Sequence, residues 1–260
     1  MWPLEANPLS RSSGLTAFLI FWGMVGFPPW AAGVVSQDSV PQRRPVLLVP
    51  GWMGRSEDMI AMKERFLRDG WGEEDVVPLE FADPVGSSLS HADELALAIQ
   101  TLLARTGAEE VDIVAHSMGG LAVWALLQGR GAQLPIKRVV FLATPFQGTV
   151  TAYFAWGEGG PEMIPGSEFL EGLQKGGWPQ NWVNALAIRT PLDLTVVPGY
   201  GATLLGARDE VICCPTHQGL LDHEETYRAI RDFLLYGKRG DGDAEGSWPD
   251  QRADVAKSMR

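Results

Sequence analysis

Apolar and polar residues follow one another along the chain in alternating strand-like and helix-like patterns. Short apolar runs closed by turn residues predict buried strands, and apolar residues spaced three and four apart predict amphipathic helices. The predicted strands lie at 45–50, 76–81, 111–116, 136–143, within 186–197, and at 209–214. The predicted helices lie at 58–69, 90–105, 121–127 and 224–236. Because strand and helix alternate, we expect an α/β fold with a mostly parallel central sheet and helices on both faces.

Residues 1–36 have the order of features found in a secretory signal peptide. Arg11 is the only basic residue before an apolar run at 15–27, and small residues follow that run. This interpretation predicts a protein that is secreted or held in the cell envelope. An uncleaved membrane anchor is the alternative, because 15–35 is long enough to span a bilayer, although a Pro-Pro pair interrupts it. A buried helix of the main fold is the third interpretation.

We expect the globular domain at 45–237, between a polar linker at 37–44 and a charged tail at 238–260 that predicts disorder. An insertion at about 149–183 breaks the alternation, because it is too long for an ordinary connection and is rich in aromatic residues. We interpret it as a cap that shapes an apolar pocket beside the sheet. The alternative is a surface excursion whose aromatic side chains pack on the body. The candidate pocket residues are Met53, Phe146, Phe154 and Trp156.

Charge and cysteine content restrict the partners that the chain can have. The formal net charge of −11 argues against nucleic acid and anionic membranes as electrostatic partners. The only cysteines, Cys213 and Cys214, are adjacent, so we expect two small buried residues in a strand and not a disulfide framework. No cluster of cysteine and histidine has zinc-ligand spacing, and no metal is predicted.

Ser117 is the candidate nucleophile. The apolar run at 111–116 stops at this serine, and Gly119, Gly120 and a helical pattern follow. A nucleophile elbow has this strand-turn-helix order and needs small residues two positions before and after the serine, where Ala115 and Gly119 lie. The usual G-x-S-x-G pattern is therefore present, with Ala115 in place of the first glycine. A tight turn with an incidental serine is the alternative, and the flanking strand and helix argue against it.

A serine hydroxyl needs a base, and His217 is the candidate because it lies in a loop after the last predicted strand. In this strand-turn-helix arrangement the base follows the nucleophile along the chain. His91 precedes the elbow, and His116 lies within it, where we expect its side chain to point away from Ser117. His223 is the alternative, but its position at the start of the closing helix suits a capping or surface role.

The base in turn needs an orienting carboxylate, and Asp193 is the candidate because it follows a predicted strand end near Pro191. Asp209 is a competitor, but it begins a strand and so lies at the opposite end of the sheet. Asp222 is a second competitor, and we expect it at a helix N-terminus, where the helix dipole favours a carboxylate.

Two backbone N–H groups are expected to bind the oxyanion that forms when the serine attacks a carbonyl. Met118 directly follows the nucleophile and should supply one donor. The other should be Trp52, because Gly51 allows a sharp turn after the first strand that leaves the Trp52 N–H facing the serine.

Several of these segments together resemble the bacterial lipases of the α/β-hydrolase superfamily. They are 46–54, 111–120, Asp193 and 217–221. The nearest likeness is to the small Bacillus-type lipases, whose elbow also reads Ala-His-Ser-Met-Gly. The resemblance covers about 45–236. Segments 143–149 and 164–170 are similar to broader triacylglycerol-lipase relatives.

The resemblance implies an α/β-hydrolase fold in which Ser117, Asp193 and His217 form the triad and Trp52 and Met118 supply the oxyanion donors. Two positions depart from the family pattern. Pro50-Gly51 replaces the usual His-Gly, and Phe146 stands where a histidine often follows Thr-Pro. The insertion is also longer than in the smallest of these lipases.

We therefore expect an exported serine carboxylester hydrolase, a lipase or esterase, that cleaves acylglycerols or similar apolar esters without a cofactor and contacts a lipid interface. An acyltransferase that passes the acyl group to an alcohol or lipid is one alternative. An amidase or thioesterase would use the same triad. A catalytically silent binding protein with this fold is the alternative from another class, and the intact triad argues against it.

Overall fold

The computed structural model describes residues 43–129, 133–178, 183–204 and 206–237. The predicted signal peptide or anchor at 1–36 and the predicted tail at 238–260 lie outside the described residues, as does most of the linker. Among the helices of the described part of the chain, none is both long enough and apolar enough to cross a bilayer.

Six parallel strands form one sheet in the order β2-β1-β3-β4-β5-β6. They are β1 (Val46–Val49), β2 (Val76–Pro78), β3 (Val111–His116), β4 (Ile136–Leu142), β5 (Asn184–Arg189) and β6 (Arg208–Val211). The predicted parallel sheet is confirmed. Because all these strands run in the same direction, the loops after β1, β3, β4, β5 and β6 meet at one edge of the sheet.

Helices cover both faces of this sheet, as the alternating pattern predicted. They are α1 (Ile60–Arg68), α2 (Ser88–Thr106), α3 (Met118–Gln128), α4 (Gly159–Glu162), α5 (Glu168–Gly176) and α6 (Glu224–Tyr236). Short 3₁₀ helices precede α1, α4, β6 and α6 at Ser56–Met59, Val150–Phe154, Gly199–Ala202 and Gln218–Leu221.

The sheet has one hydrophobic core on each face, because successive side chains along a strand point to opposite faces. In β1, Leu47 and Val49 face the core beneath α2 and α3, whereas Val46 and Leu48 face the core beneath α1 and α6. Each of these side chains is fully buried. A strand that is apolar at every position must be covered on both faces, which explains why the short apolar runs predicted buried parallel strands.

The cysteine expectation is wrong. Cys213 and Cys214 are exposed and lie beyond the end of β6, so they are not buried residues of a strand. The last residue pair between β5 and β6 is Arg189 with Val211. Beyond it β5 has ended, so the chain after Val211 has no strand to pair with and leaves the sheet.

Candidate active site

Ser117 occupies the sharp turn between β3 and α3 with φ 52° and ψ −129°, a left-handed region that non-glycine residues rarely adopt. The turn is held because the Ser117 N–H donates to the Leu142 carbonyl at 2.8 Å. It also depends on glycine at the start of α3. A β-carbon on Gly119 would collide with the Pro50 carbonyl oxygen, and one on Gly120 would collide with the Thr144 side chain. The sequence therefore folds here as an elbow.

The two residues predicted to supply oxyanion donors flank this turn. Met118 is the first residue of α3 and is buried, and Trp52 lies in the turn after β1. Gly51 lets these backbones approach, because a β-carbon there would lie 2.8 Å from the Ser117 β-carbon. The first N–H groups of a helix have no partner within the helix, which leaves the Met118 N–H free to bind an anion. The next residue, Met53, donates its N–H to the Pro84 carbonyl at 2.9 Å and fixes the Trp52 turn.

The structure brings the predicted base and carboxylate into direct contact. His217 Nδ1 lies 2.8 Å from Asp193 Oδ2, and both residues are buried. Their loops are joined twice more: Leu192 and Thr216 form a parallel bridge, and a threonine in the same turn, Thr190, donates its hydroxyl to the Pro215 carbonyl at 2.6 Å. These contacts hold the loop after β5 against the loop after β6.

Asp193 is surrounded by hydrogen-bond donors. Its Oδ1 accepts the backbone N–H of Thr195 at 2.8 Å and that of Val196 at 2.7 Å, and its Oδ2 faces His217. Burial raises the pKa of Asp193, but the hydrogen bond and charge of His217 and the two backbone donors together lower it, and the net shift is downward. The carboxylate is therefore ionised at neutral pH and selects the His217 tautomer that carries its proton on Nδ1.

His116 contacts the candidate base, which the sequence did not predict. Its ring lies 4.6 Å from the His217 ring, and its Nε2 donates to the His217 carbonyl at 3.2 Å. Burial, followed by the charge of His217, lowers the pKa of His116 to about 3. The imidazole is thus neutral at physiological pH and carries its proton on Nε2. The sequence does show a histidine directly before the nucleophile. This histidine can reach the base only if the loop after β6 folds over the end of β3, and the sequence does not reveal that fold.

The competing histidines have other contacts. His91 is buried in α2, where its ring stacks on Phe81 with centroids 3.8 Å apart and its Nε2 lies 2.7 Å from the Asp83 carbonyl. His223 precedes α6 at its N-cap, as the sequence suggested, although its side chain makes no capping hydrogen bond.

The competing aspartates also lie away from His217. Asp209 forms an ion pair with Arg189 at 2.9 Å between β6 and β5. Asp222 ends the 3₁₀ helix Gln218–Leu221, one residue before the N-cap of α6.

A cavity of about 430 Å³ opens above the elbow, and both Ser117 and His217 line it. Three aromatic side chains form much of its apolar wall: Trp52, Phe154 and Trp156. Trp52 and Trp156 contact each other edge to face at 4.6 Å, and the Trp52 indole N–H donates to the Trp156 carbonyl at 3.1 Å. The insertion between β4 and β5 therefore contributes directly to the wall of the cavity.

Two of the candidate pocket residues lie elsewhere. Phe146 is fully buried and packs edge to face on Phe141 and Trp124, so it belongs to the core beneath the cavity and does not line it. Met53 is about half exposed and is likewise absent from the lining. Aromatic character alone did not reveal that Phe146 turns inward after β4. Within the described ranges, no group of three His, Cys, Asp or Glu side chains could hold a metal ion.

The parallel six-stranded sheet, the elbow after β3 and the helices on both faces together form the α/β-hydrolase fold, as predicted. Residues 44–163 match the family model described as alpha/beta hydrolase fold.

Several solved structures share this fold. Lipase B of Aspergillus fumigatus aligns with a TM-score of 0.67 and 21% identity over 77% of this chain. The chain spans only 55% of the length of that lipase. The mature lipase BlEst2 of Bacillus licheniformis aligns with a TM-score of 0.64 and 15% identity, over 75% of this chain and 93% of the lipase. The esterase EaEST of Exiguobacterium antarcticum has a TM-score of 0.54 and 15% identity, with the same two coverages. These likenesses establish the fold.

Proposed function

We propose that this protein is a serine carboxylester hydrolase of the lipase or esterase type. The observation that carries the proposal is the arrangement around the cavity. Ser117 lies in a left-handed turn, shares the cavity with His217, and His217 Nδ1 is 2.8 Å from the buried Asp193 carboxylate. The similarity to lipases and esterases in the solved structures supports the same assignment.

The proposed reaction has two halves. Ser117 Oγ attacks the ester carbonyl carbon while His217 Nε2 accepts the hydroxyl proton, and the N–H groups of Trp52 and Met118 bind the oxyanion. The intermediate collapses as the ester C–O bond breaks, and His217 returns the proton to the leaving alcohol. Water then gives its proton to His217 and attacks the acyl-enzyme, which releases the carboxylic acid and restores Ser117. Asp193 stays ionised throughout and stabilises the imidazolium.

The cavity wall favours an apolar acyl or alcohol group. Trp52, Phe154 and Trp156 provide an aromatic surface next to the serine, and such surfaces bind apolar groups through burial of their accessible area. A charged group would lose hydration against this aromatic surface. We therefore propose acylglycerols or similar apolar esters as the substrate class.

We also propose that the rim of the cavity contacts a lipid interface. Phe154 and Leu194 line the cavity, yet 87% and 84% of their surfaces are exposed. Phe154→Ser and Leu194→Ser should slow hydrolysis of an emulsified long-chain triacylglycerol by a larger factor than hydrolysis of a soluble short-chain ester. Leu97→Ser is the matched control, because Leu97 is 65% exposed on α2 and does not line the cavity. Equal rates for all three variants on the emulsion would contradict the interface contact.

The test of the hydrolase itself is turnover of p-nitrophenyl esters of increasing chain length by the wild type, Ser117→Ala and His217→Ala. We expect wild-type turnover that both variants lose, and a chain-length profile that separates esterase from lipase. Adding a competing alcohol and analysing the products distinguishes hydrolysis from acyl transfer. A folded wild type that turns over no ester would contradict the proposal.

Export from the cytoplasm is a further proposal, which depends on the signal-peptide pattern at 1–36. Expression in a secreting host, followed by N-terminal sequencing of the product, tests it. A cleaved N-terminus near 33–36 is expected for a signal peptide, and an intact membrane-bound chain would favour the anchor instead.

A further inference from the structure

The Thr149 hydroxyl, at the beginning of the insertion, is buried against the loop that carries Asp193. We call residues 193–197 the acid loop. Thr149 Oγ1 donates to the Thr195 carbonyl at 2.7 Å and accepts the Val197 N–H at 2.9 Å. Thr149 is only 3% exposed, so water does not compete for these bonds. One hydroxyl thus holds the acid loop through both a carbonyl and an N–H group.

Two further bonds complete the contact between these segments. The Thr151 hydroxyl donates to the same Thr195 carbonyl at 2.6 Å, and the Val150 N–H donates to the Val197 carbonyl at 2.9 Å. The Thr195 carbonyl therefore accepts from Thr149 and Thr151 together, which uses both of its lone pairs. The acid loop has little freedom to rotate away while these bonds are made.

The N–H side of the peptide unit between Thr195 and Val196 supports the carboxylate. The N–H groups of Thr195 and Val196 donate to Asp193 Oδ1, and this leaves Oδ2 directed at His217 Nδ1. The Thr195 carbonyl and the Val196 N–H share one peptide plane, so a rotation of that plane would break the N–H bond to Asp193 as well as the carbonyl bond to Thr149. The conformation of the acid loop and the direction of Asp193 Oδ2 are therefore coupled.

We propose that Thr149 is a positioning residue that fixes the acid loop and, through it, the hydrogen bond between Asp193 and His217. This inference rests on the proposed function, because it assigns Asp193 and His217 to the triad. The beginning of the insertion is thus part of the support of the triad, and Thr149 also lines the cavity, as Phe154 and Trp156 do further along.

Thr149→Val tests the proposal because valine keeps the shape of threonine and removes only the hydroxyl. We expect kcat to fall about tenfold to 10²-fold, as for a small misplacement of catalytic groups, with little change in KM. Thr149→Ser restores the hydroxyl and should return kcat close to the wild-type value. Thr106→Val is the matched control, because Thr106 also bonds a carbonyl (Leu102, 2.8 Å) and a backbone N–H (Ala108, 3.3 Å), at the end of α2.

A proton NMR spectrum separates positioning from a general loss of structure. The proton between His217 Nδ1 and Asp193 should give a far-downfield resonance in the wild type, in Thr149→Ser and in Thr106→Val. In Thr149→Val the resonance should shift or broaden while the rest of the spectrum stays folded. Wild-type kcat and an unchanged resonance in Thr149→Val would overturn the inference, as would equal losses in Thr149→Val and Thr149→Ser. Failure of the proposed function looks different, since the wild type itself would then lack turnover.

Discussion

Two buried carboxylates, one at each end of the sheet, have opposite electrostatic behaviour. Asp112 lies near the beginning of β3 and faces Arg44 at 3.1 Å, and its burial outweighs the guanidinium and raises its pKa to about 6. Asp193 lies beyond the carboxyl ends of the strands, where His217 and two backbone N–H groups outweigh burial and lower its pKa. The number and kind of donors, and not burial alone, decides which carboxylate keeps its charge.

The two carboxylates also differ in what they contact: Asp112 joins structural elements, whereas Asp193 contacts the candidate base. Arg44 also donates to the Leu234 carbonyl at 3.2 Å, so the pair with Asp112 joins the chain before β1 to β3 and α6. No nucleophile or base contacts this pair among the residues that the structure describes. At the other end, the charge on Asp193 is directed at one nitrogen of one imidazole. We therefore expect a substitution at Asp193 to lower kcat, and a substitution at Arg44 to lower the free energy of unfolding.

The largest effect should come from Asp193→Asn. An amide has no charge to stabilise the imidazolium and can donate to His217 Nδ1, which favours the wrong tautomer, so kcat should fall on the order of 10³–10⁴-fold. Steady-state ester hydrolysis with purified, folded variant measures it. Asp112→Asn is the matched control and should retain kcat. An Asp193→Asn variant as active as the wild type would exclude Asp193 from the triad.

Arg44→Met should lower the stability of the protein and leave its activity unchanged. It leaves Asp112 buried without its counter-charge and should lower the free energy of unfolding by about 3–5 kcal/mol at neutral pH. The loss should shrink as the pH falls towards about 6, because without the cation the pKa of Asp112 rises further and its carboxyl group takes up a proton. Denaturant unfolding at several pH values measures both. A large loss of kcat in folded protein would contradict the separation of the two ends.

His116→Gln should give the smallest effect at neutral pH, because its change is confined to the pH dependence of stability in acid. The folded pKa of His116 is about 3, below its ordinary value of 6.5, so its contribution is present above pH 6.5 and is lost as the pH falls towards 3. For one proton the slope is about 1.4 kcal/mol per pH unit. Gln keeps an N–H donor for the His217 carbonyl but does not titrate. Identical slopes for variant and wild type would show that His116 does not remain neutral in the fold.

Much of the fold could be predicted because its signals are local. The periodicity of α6 predicted both of its ends, and the short, mainly apolar runs predicted β1 and β3 as buried strands. The order of the serine, the small residues and the following helix predicted the elbow, because its tight packing permits only glycine at Gly119. The positive φ of Ser117 follows from the same tight packing of the elbow.

Other features could not be predicted because they depend on packing between distant segments. Phe146 looked like a pocket residue, but Trp124 and Phe141 provide a buried site for its ring. The end of β6 is set by the last residue of β5 and has no local signal. The contact of His116 with His217 joins residues 101 positions apart, which no local pattern reveals.

The most direct test of the central claim is labelling with a fluorophosphonate, followed by intact-mass measurement and peptide mapping. An activated serine is phosphonylated by such a reagent, and an ordinary surface serine is not. We expect one adduct per molecule on Ser117 in the wild type, much slower labelling in His217→Ala, and none in Ser117→Ala. No adduct on folded wild-type protein, or an adduct that persists in Ser117→Ala, would contradict the account.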